Sequence, residues 1–375
     1  MSSAVIVGAG IFGGSLAHEL VERGWTVTLV DRYPPGHVRA ASGGETRLIR
    51  SAHGAEAWYV RSARRAWERW LELERETGES LLVPCGVVWL AHDEAGWEAE
   101  SERALRAEGV PTEHLTPAET ADLFPSFVGD DLAFGLLEPE AGVLRARDAT
   151  RALVALARAK GVRFVGGEAR PAGRAVDVGG DRLVADVVVW ACGAWLATLF
   201  PDHVGLRVTR QEVLHFGAPI EWSTPPIPAW VDYDAAFYGV GDVDGRGVKV
   251  CPDREGPAFD PDRDDRTPTD EAAQAARGYL GRRFPSLADA PLVFSRVCPY
   301  ALTSDTNFLI ARHPDQRDAW LLGGGSGHGF KHGPALAEYV SALIESGEEP
   351  DARFALGERG PGQSLRTAGT APAAG

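Results

Sequence analysis

The stretch Ala4-Val5-Ile6-Val7-Gly8-Ala9-Gly10-Ile11-Phe12-Gly13 opens the chain with an apolar, β-branched run that feeds straight into a glycine turn. Leu16, Ala17 and Leu20 continue at helical spacing, Gly24 breaks the pattern, and a second run from Trp25 to Val30 ends at Asp31, 23 residues after Gly8. The pattern predicts strand, turn, helix and strand, the setting in which GxGxxG binds a dinucleotide. Gly8 suits the tight turn, Gly10 the close backbone approach to a pyrophosphate, and Gly13 the packing of helix on strand, with the helix N-terminus facing the phosphates. Asp31 is placed to bind a ribose hydroxyl pair, and a ligand-free turn would not need that acid.

The rest of the composition narrows the class. At 375 residues with 44% apolar side chains, the chain can bury the core of two domains or of one elaborated domain. A net charge of −15 disfavours a nucleic-acid partner, which requires a cationic surface. No basic segment precedes the first strand, so the expectation is a cytoplasmic protein without a signal peptide. The longest apolar run, Val187 to Phe200, falls short of the roughly 20 residues of a membrane span, so no membrane partner is expected. Cys85, Cys192, Cys251 and Cys298 show no metal-ligand or disulfide spacing, and no metal motif is visible. Of the 38 basic residues only Lys160, Lys249 and Lys331 are lysines, which marks them as candidates for sites that want a compact ammonium.

Nucleotide-domain texture is interrupted twice and resumed twice. A Trp- and Arg-rich helix is predicted over Trp58 to Glu76, an amphipathic helix over Arg145 to Lys160, and strands over Val162 to Val165 and Ala185 to Trp190. Between them, Leu82 to Leu90 and Leu206 to Val297 read as short strands with turns, with a helix from Asp270 to Arg283. A last strand, Trp320 to Leu322, runs into the glycine loop Gly323 to Lys331, and Pro334 starts a helix to about Glu345. The expected fold class is α/β with α+β inserts, a Rossmann-like FAD-binding domain carrying an inserted mixed or antiparallel-sheet substrate domain. The boundaries assign residues 1–80, 145–205 and 298–358 to the first, 81–144 and 206–297 to the second, and 359–375 to a disordered tail. Such interleaving disfavours a nicotinamide dehydrogenase, whose Rossmann strands follow one another closely.

Four separated motifs then carry a resemblance that covers residues 4 to 355. They are GAGIFGGSLA, the segment Gly44-Glu45-Thr46-Arg47-Leu48-Ile49-Arg50, the junction Ala191-Cys192-Gly193-Ala194-Trp195, and Cys298-Pro299-Tyr300 with GSGHGFK. Together they resemble the amino-acid oxidase superfamily of flavoproteins, in the branch of monomeric sarcosine oxidase and N-methyltryptophan oxidase. The resemblance implies FAD held by Gly8, Gly10, Ile11, Phe12, Gly13, Asp31, Arg32, Ser42, Thr46, Arg47, Cys192, Gly193, Trp195, Cys298, Gly325, Gly327, His328, Gly329, Phe330 and Lys331. A cysteine at the position of Cys298, read here as preceding a strand that ends at Ile310, forms a thioether to the flavin in that family. Where linked members carry a histidine pair before the second motif, this chain has Ser42 and Gly43.

The same resemblance implies that Lys331 and Arg50 hold a substrate carboxylate, that Lys249 stands by the flavin and promotes oxygen reduction, and that Tyr238 and His328 belong to the site. Asp253 departs from the histidine of sarcosine-type members and is similar to the aspartate of a piperideine-2-carboxylate oxidase from a peptidyl-nucleoside antibiotic pathway. A carboxylate there would pair with the nitrogen of a cyclic or bulkier secondary amino acid. The implied activity is oxidation of the C–N bond of a secondary amino acid to an imine, with O2 reduced to hydrogen peroxide. The expected partners are this small substrate and O2, in a monomer or dimer. The competing readings are an FAD-dependent amino-acid dehydrogenase or electron-transferring flavoprotein subunit, and an NAD-dependent dehydrogenase.

Overall fold

The computed structural model describes residues 2–357 and Arg359. Ser3–Val7 and Thr26–Asp31 are parallel neighbours in a six-stranded sheet whose order is Leu309–His313, Gln316–Gly323, Val187–Trp190, Ser3–Val7, Thr26–Asp31 and Arg163–Gly166. Every pair is parallel except the first, where the chain reverses through a short turn. The first strand is apolar at successive positions because both of its faces are covered. Ala4 and Ile6 pack under the helices Ile11–Glu22 and Gly333–Ser346, whereas Val5 and Val7 face Val176, Val178 and Phe200. Those last valines come from a small antiparallel sheet formed by Ala169–Ala172, Ala175–Val178 and Asp181–Leu183.

A second, eight-stranded sheet runs in the order Leu292–Leu302, Arg207–Phe216, Val248–Pro252, Phe237–Val240, Ala229–Asp232, Val87–Ala91, Phe134–Glu138 and Glu113–Leu115. It is antiparallel apart from the parallel pair Val87–Ala91 and Ala229–Asp232, so the sheet is mixed, as expected. The helix Asp270–Arg283 covers one face, burying Tyr279, Leu280 and Phe284 against Trp230, Val248 and Val250. Thr46–Ile49, Leu82–Val83 and Gly142–Arg145 make a third, small antiparallel sheet.

Two features differ from the reading of the sequence. Arg207–Phe216 and Leu292–Leu302 are 10 and 11 residues long, and they pair along almost their whole length. Cys298 therefore lies inside a strand of the eight-stranded sheet as well as ahead of the strand that contains Ile310, and a boundary at 298 would cut that ladder. The strand after it is Leu309–His313. The tail assigned to 359–375 lies outside the described residues except for Arg359, which donates to Phe308 O at 2.8 Å and lies 3.3 Å from the Asp305 carboxylate. Among the described residues no helix is long and apolar enough to cross a membrane.

Candidate active site and cofactor cleft

The turn between the first strand and helix is as tight as its glycines allow. Gly8 has φ +108°, and a Cβ there would sit 2.3 Å from Ala191 O. A Cβ at Gly13 would sit 1.9 Å from Gly8 O, so Gly13 serves helix-to-strand packing and does not line the cleft. Gly10 caps the helix without a side chain of its own, and Ser42 Oγ instead accepts from Ile11 N at 3.0 Å. Asp31 stands at the rim, its carboxylate accepting from Ala9 N at 2.7 Å and Tyr33 N at 2.8 Å, while burial pushes its pKa up.

From this turn an elongated cleft runs past Arg32, Cys192, Gly193 and Trp195 to the glycine loop, where Gly325, Gly327, Gly329 and Phe330 line it. Asp262, which no motif marked, closes the outer end by pairing with Arg32 and accepting from Trp195 Nε1 at 2.9 Å. The cradle fits FAD: a helix N-terminus whose N-cap Gly10 carries no side chain, glycines at the close approach, and an acid at the end of the second strand suit a dinucleotide. Gly8, Gly10, Ile11, Phe12, Asp31, Arg32, Ser42 and the loop glycines would hold it.

Arg47, Tyr300, Gly327 and Phe330 are shared with a smaller chamber that adds Leu48, Arg50, Trp89, Val231, Tyr233, Tyr238, Asp253, His328 and Lys331. Arg50 lies with its guanidinium 4.8 Å from the Trp89 ring centre and donates to Ala52 O. Lys331 is 2% exposed and donates from Nζ to His328 O at 3.0 Å. Its main chain is pinned by Trp70, whose Nε1 donates to Lys331 O at 2.8 Å and whose ring stacks on Phe330. Burial lowers the pKa of Arg50 to about 10, and burial together with Arg50 pushes Lys331 well below its ordinary value. The nearby Glu138 carboxylate opposes both shifts, but its oxygens are taken by Ser51 N at 2.6 Å and Trp89 Nε1 at 2.9 Å. Two buried basic side chains, Arg50 and Lys331, thus face one small chamber.

Lys249 lies behind this wall rather than on it. It is 2% exposed, donates to Thr46 O at 3.0 Å, and sits 5.1 Å from the Tyr238 ring centre. Burial, reinforced by Arg47, lowers its pKa to about 8. Thr46 serves as its acceptor and does not itself reach the cleft. Cys298 is likewise buried, with Sγ 3.3 Å from an Arg47 nitrogen, while its neighbours Pro299 and Tyr300 line the cleft. The third lysine, Lys160, is a surface cation paired with Glu22 at 2.9 Å and Glu76 at 2.7 Å. Trp89, Tyr233 and Glu138 were not legible as site residues, because they come from inserted segments with no motif, and Tyr300 lay in the Cys298-Pro299-Tyr300 motif without being singled out. His328 turns its Nε2 to Thr306 O at 3.0 Å, so its ring points away from the cofactor cleft.

Comparison with known proteins agrees with this geometry. The family described as FAD dependent oxidoreductase matches residues 3–343. The chain is 30% identical over 359 residues to a monomeric sarcosine oxidase of Streptomyces avermitilis, covering 92% of this chain and 93% of the relative. It is 24% identical over 359 residues to an N-methyl-L-tryptophan oxidase of Yersinia pestis, covering 92% and 95%. The crystal structure of L-proline dehydrogenase from P. horikoshii superposes with a TM-score of 0.83 over 94% of this chain and 95% of that one, at 24% identity, which speaks for the fold. This chain belongs to the FAD-dependent oxidoreductase family, and it is an FAD-dependent oxidoreductase.

Proposed function

We propose that the protein oxidises the C–N bond of a secondary amino acid, N-methyl or cyclic, to an imine and passes the electrons to O2. The observation that carries this reading is the pair Arg50 and Lys331, two buried cations facing a chamber that opens on the cofactor cleft. A buried charge is costly unless it meets an opposite charge, so the chamber calls for an anion. An amino-acid carboxylate supplies one, and the planar guanidinium and the ammonium together fix its orientation. The names of the sarcosine and N-methyltryptophan oxidases among its relatives support the same substrate class.

When bound, FAD takes up the two electrons as a hydride equivalent and delivers them with two protons to O2 as hydrogen peroxide. The protein's own residues do the rest. Arg50 and Lys331 anchor the carboxylate and set the α-carbon toward the cleft, converting encounter into position. Trp89, Val231, Tyr233 and Tyr238 wall the chamber and exclude water. Asp253 lies on the same chamber wall, where its carboxylate would pair with the substrate nitrogen and accept its proton. Its acid favours a cyclic or bulky secondary amine. Lys249 holds a positive charge in a dry setting, where it stabilises negative charge that develops as oxygen is reduced. Cys298 is assigned the thioether to the flavin. The setting is a cytoplasmic enzyme, monomeric or dimeric.

Three outcomes are expected. Peroxide formation measured across N-methyl, cyclic and primary amino acids favours the cyclic secondary ones, and Asp253→His lowers the cyclic-to-sarcosine ratio of kcat/KM about tenfold, roughly 1.4 kcal/mol; an unchanged ratio removes the role of Asp253. Because the Lys249 ammonium is populated below about 8, the second-order rate of reoxidation by O2 should fall as pH rises through that value. Lys249→Met should slow it on the order of 100-fold at neutral pH, and reoxidation at the wild-type rate would dismiss the assignment. After acid denaturation the flavin stays with the protein in the wild type and is released from Cys298→Ser; release of all flavin from the wild type contradicts the linkage.

A further inference from the structure

Three histidines converge behind the substrate chamber. His53 follows the strand Thr46–Ile49, and His328 and His332 stand four residues apart across the glycine loop; their exposures are 0%, 5% and 0%. Their ring centres form a triangle with sides of 5.3, 5.6 and 5.9 Å. One nitrogen of each ring lies within 4.8 Å of those of the other two.

The outward nitrogens are committed. His53 Nδ1 is 2.9 Å from Ser51 O and His328 Nε2 is 3.0 Å from Thr306 O. A carbonyl only accepts, so both of those nitrogens carry the proton and the opposite nitrogens present lone pairs. His332 Nδ1 is 2.9 Å from Ser62 Oγ, a hydroxyl that can donate or accept. The nitrogens left over, His53 Nε2, His328 Nδ1 and His332 Nε2, are buried and have no hydrogen-bond partner. Were His332 to turn an N–H inward, it could satisfy one lone pair and would leave the other unmet, at a cost of about 1–3 kcal/mol. A cation satisfies all three.

We propose that His53, His328 and His332 form a three-histidine site for a divalent transition ion of the zinc type. An ion about 2.0–2.1 Å from each nitrogen would set the ring centres about 5.2 Å apart in tetrahedral and about 5.5 Å apart in trigonal geometry. The observed sides of 5.3, 5.6 and 5.9 Å are near these values, the longest exceeding the tetrahedral one by about 0.7 Å, so the rings draw together when the ion enters. Each imidazole already has the outer hydrogen bond that orients metal-bound histidines. An all-imidazole donor set selects zinc, cobalt, nickel or copper over magnesium or calcium.

The neighbouring cations are Lys331 and Arg50. The ion would tie the loop after Thr46–Ile49 to the glycine loop. Lys331 lies between two of the ligands, so the tie would position a substrate-anchoring residue.

The test is metal analysis of the purified, FAD-loaded enzyme, produced in zinc-containing medium and never exposed to chelator. About one zinc per FAD is expected, and replacement by Co2+ should give ligand-field bands to the red of the flavin absorption. His332→Phe and, separately, His53→Tyr should each retain FAD but lose the metal and the cobalt bands. FAD content reports folding independently of the metal, so either variant suffices if the other fails to fold. Wild-type enzyme that holds no stoichiometric metal after incubation with Zn2+ and shows no cobalt bands overturns the proposal, as does metal that both folded variants keep.

Discussion

Burial of the Lys331 ammonium beside the Arg50 guanidinium is the constraint from which the rest of the site follows. Both groups hydrogen-bond to main-chain carbonyls, Lys331 to His328 and Arg50 to Ala52. Glu138, the carboxylate nearest in effect, is occupied by Ser51, Ala52 and Trp89. A site with this charge balance is stabilised when an anion enters and is under electrostatic tension without one. That tension is tolerable because the surrounding structure fixes each cation rigidly. Trp70 pins the Lys331 main chain, and the Trp89 ring lies beneath Arg50.

The two sheets explain how the Arg50 and Lys331 chamber comes to adjoin the dinucleotide cleft. The parallel sheet brings the Gly8 turn, the Cys192 junction and the Gly323 to Gly329 loop to one edge, because Val7, Trp190 and Leu321 end in register there. The mixed sheet brings Trp89, Val231, Tyr238 and Asp253 to the facing wall. Arg47, Tyr300, Gly327 and Phe330 belong to both cavities, so a ligand in one is necessarily felt in the other.

The cofactor half was legible in the sequence because backbone geometry demands particular residues. Only glycine tolerates φ +108° at Gly8 with a carbonyl 2.3 Å from its missing Cβ, and such demands leave a pattern. The helices Asp270–Arg283 and Ala146–Ala159 were likewise visible, the second through its amphipathic periodicity. The wall of the smaller chamber was not legible. Trp89 and Tyr233 are ordinary strand and turn residues in their own segments, and only tertiary pairing of Val87–Ala91 with Ala229–Asp232 sets their strands side by side. Cys298 shows the same limit from the other direction: its motif was visible, but its place inside an 11-residue strand depended on a partner strand about 90 residues away. The histidine trio had a partial signal in the i,i+4 spacing of His328 and His332; its third member is distant in sequence.

The most direct measurement is the equilibrium binding of an unreactive heterocyclic carboxylate and of its neutral carboxamide to the oxidised, FAD-loaded enzyme, followed by the change in the flavin spectrum. If Arg50 and Lys331 anchor an anion, the carboxylate binds on the order of 100-fold more tightly than the amide, a difference of about 2.7 kcal/mol, and Lys331→Met removes most of that difference. Equal affinity for the two ligands would contradict the account.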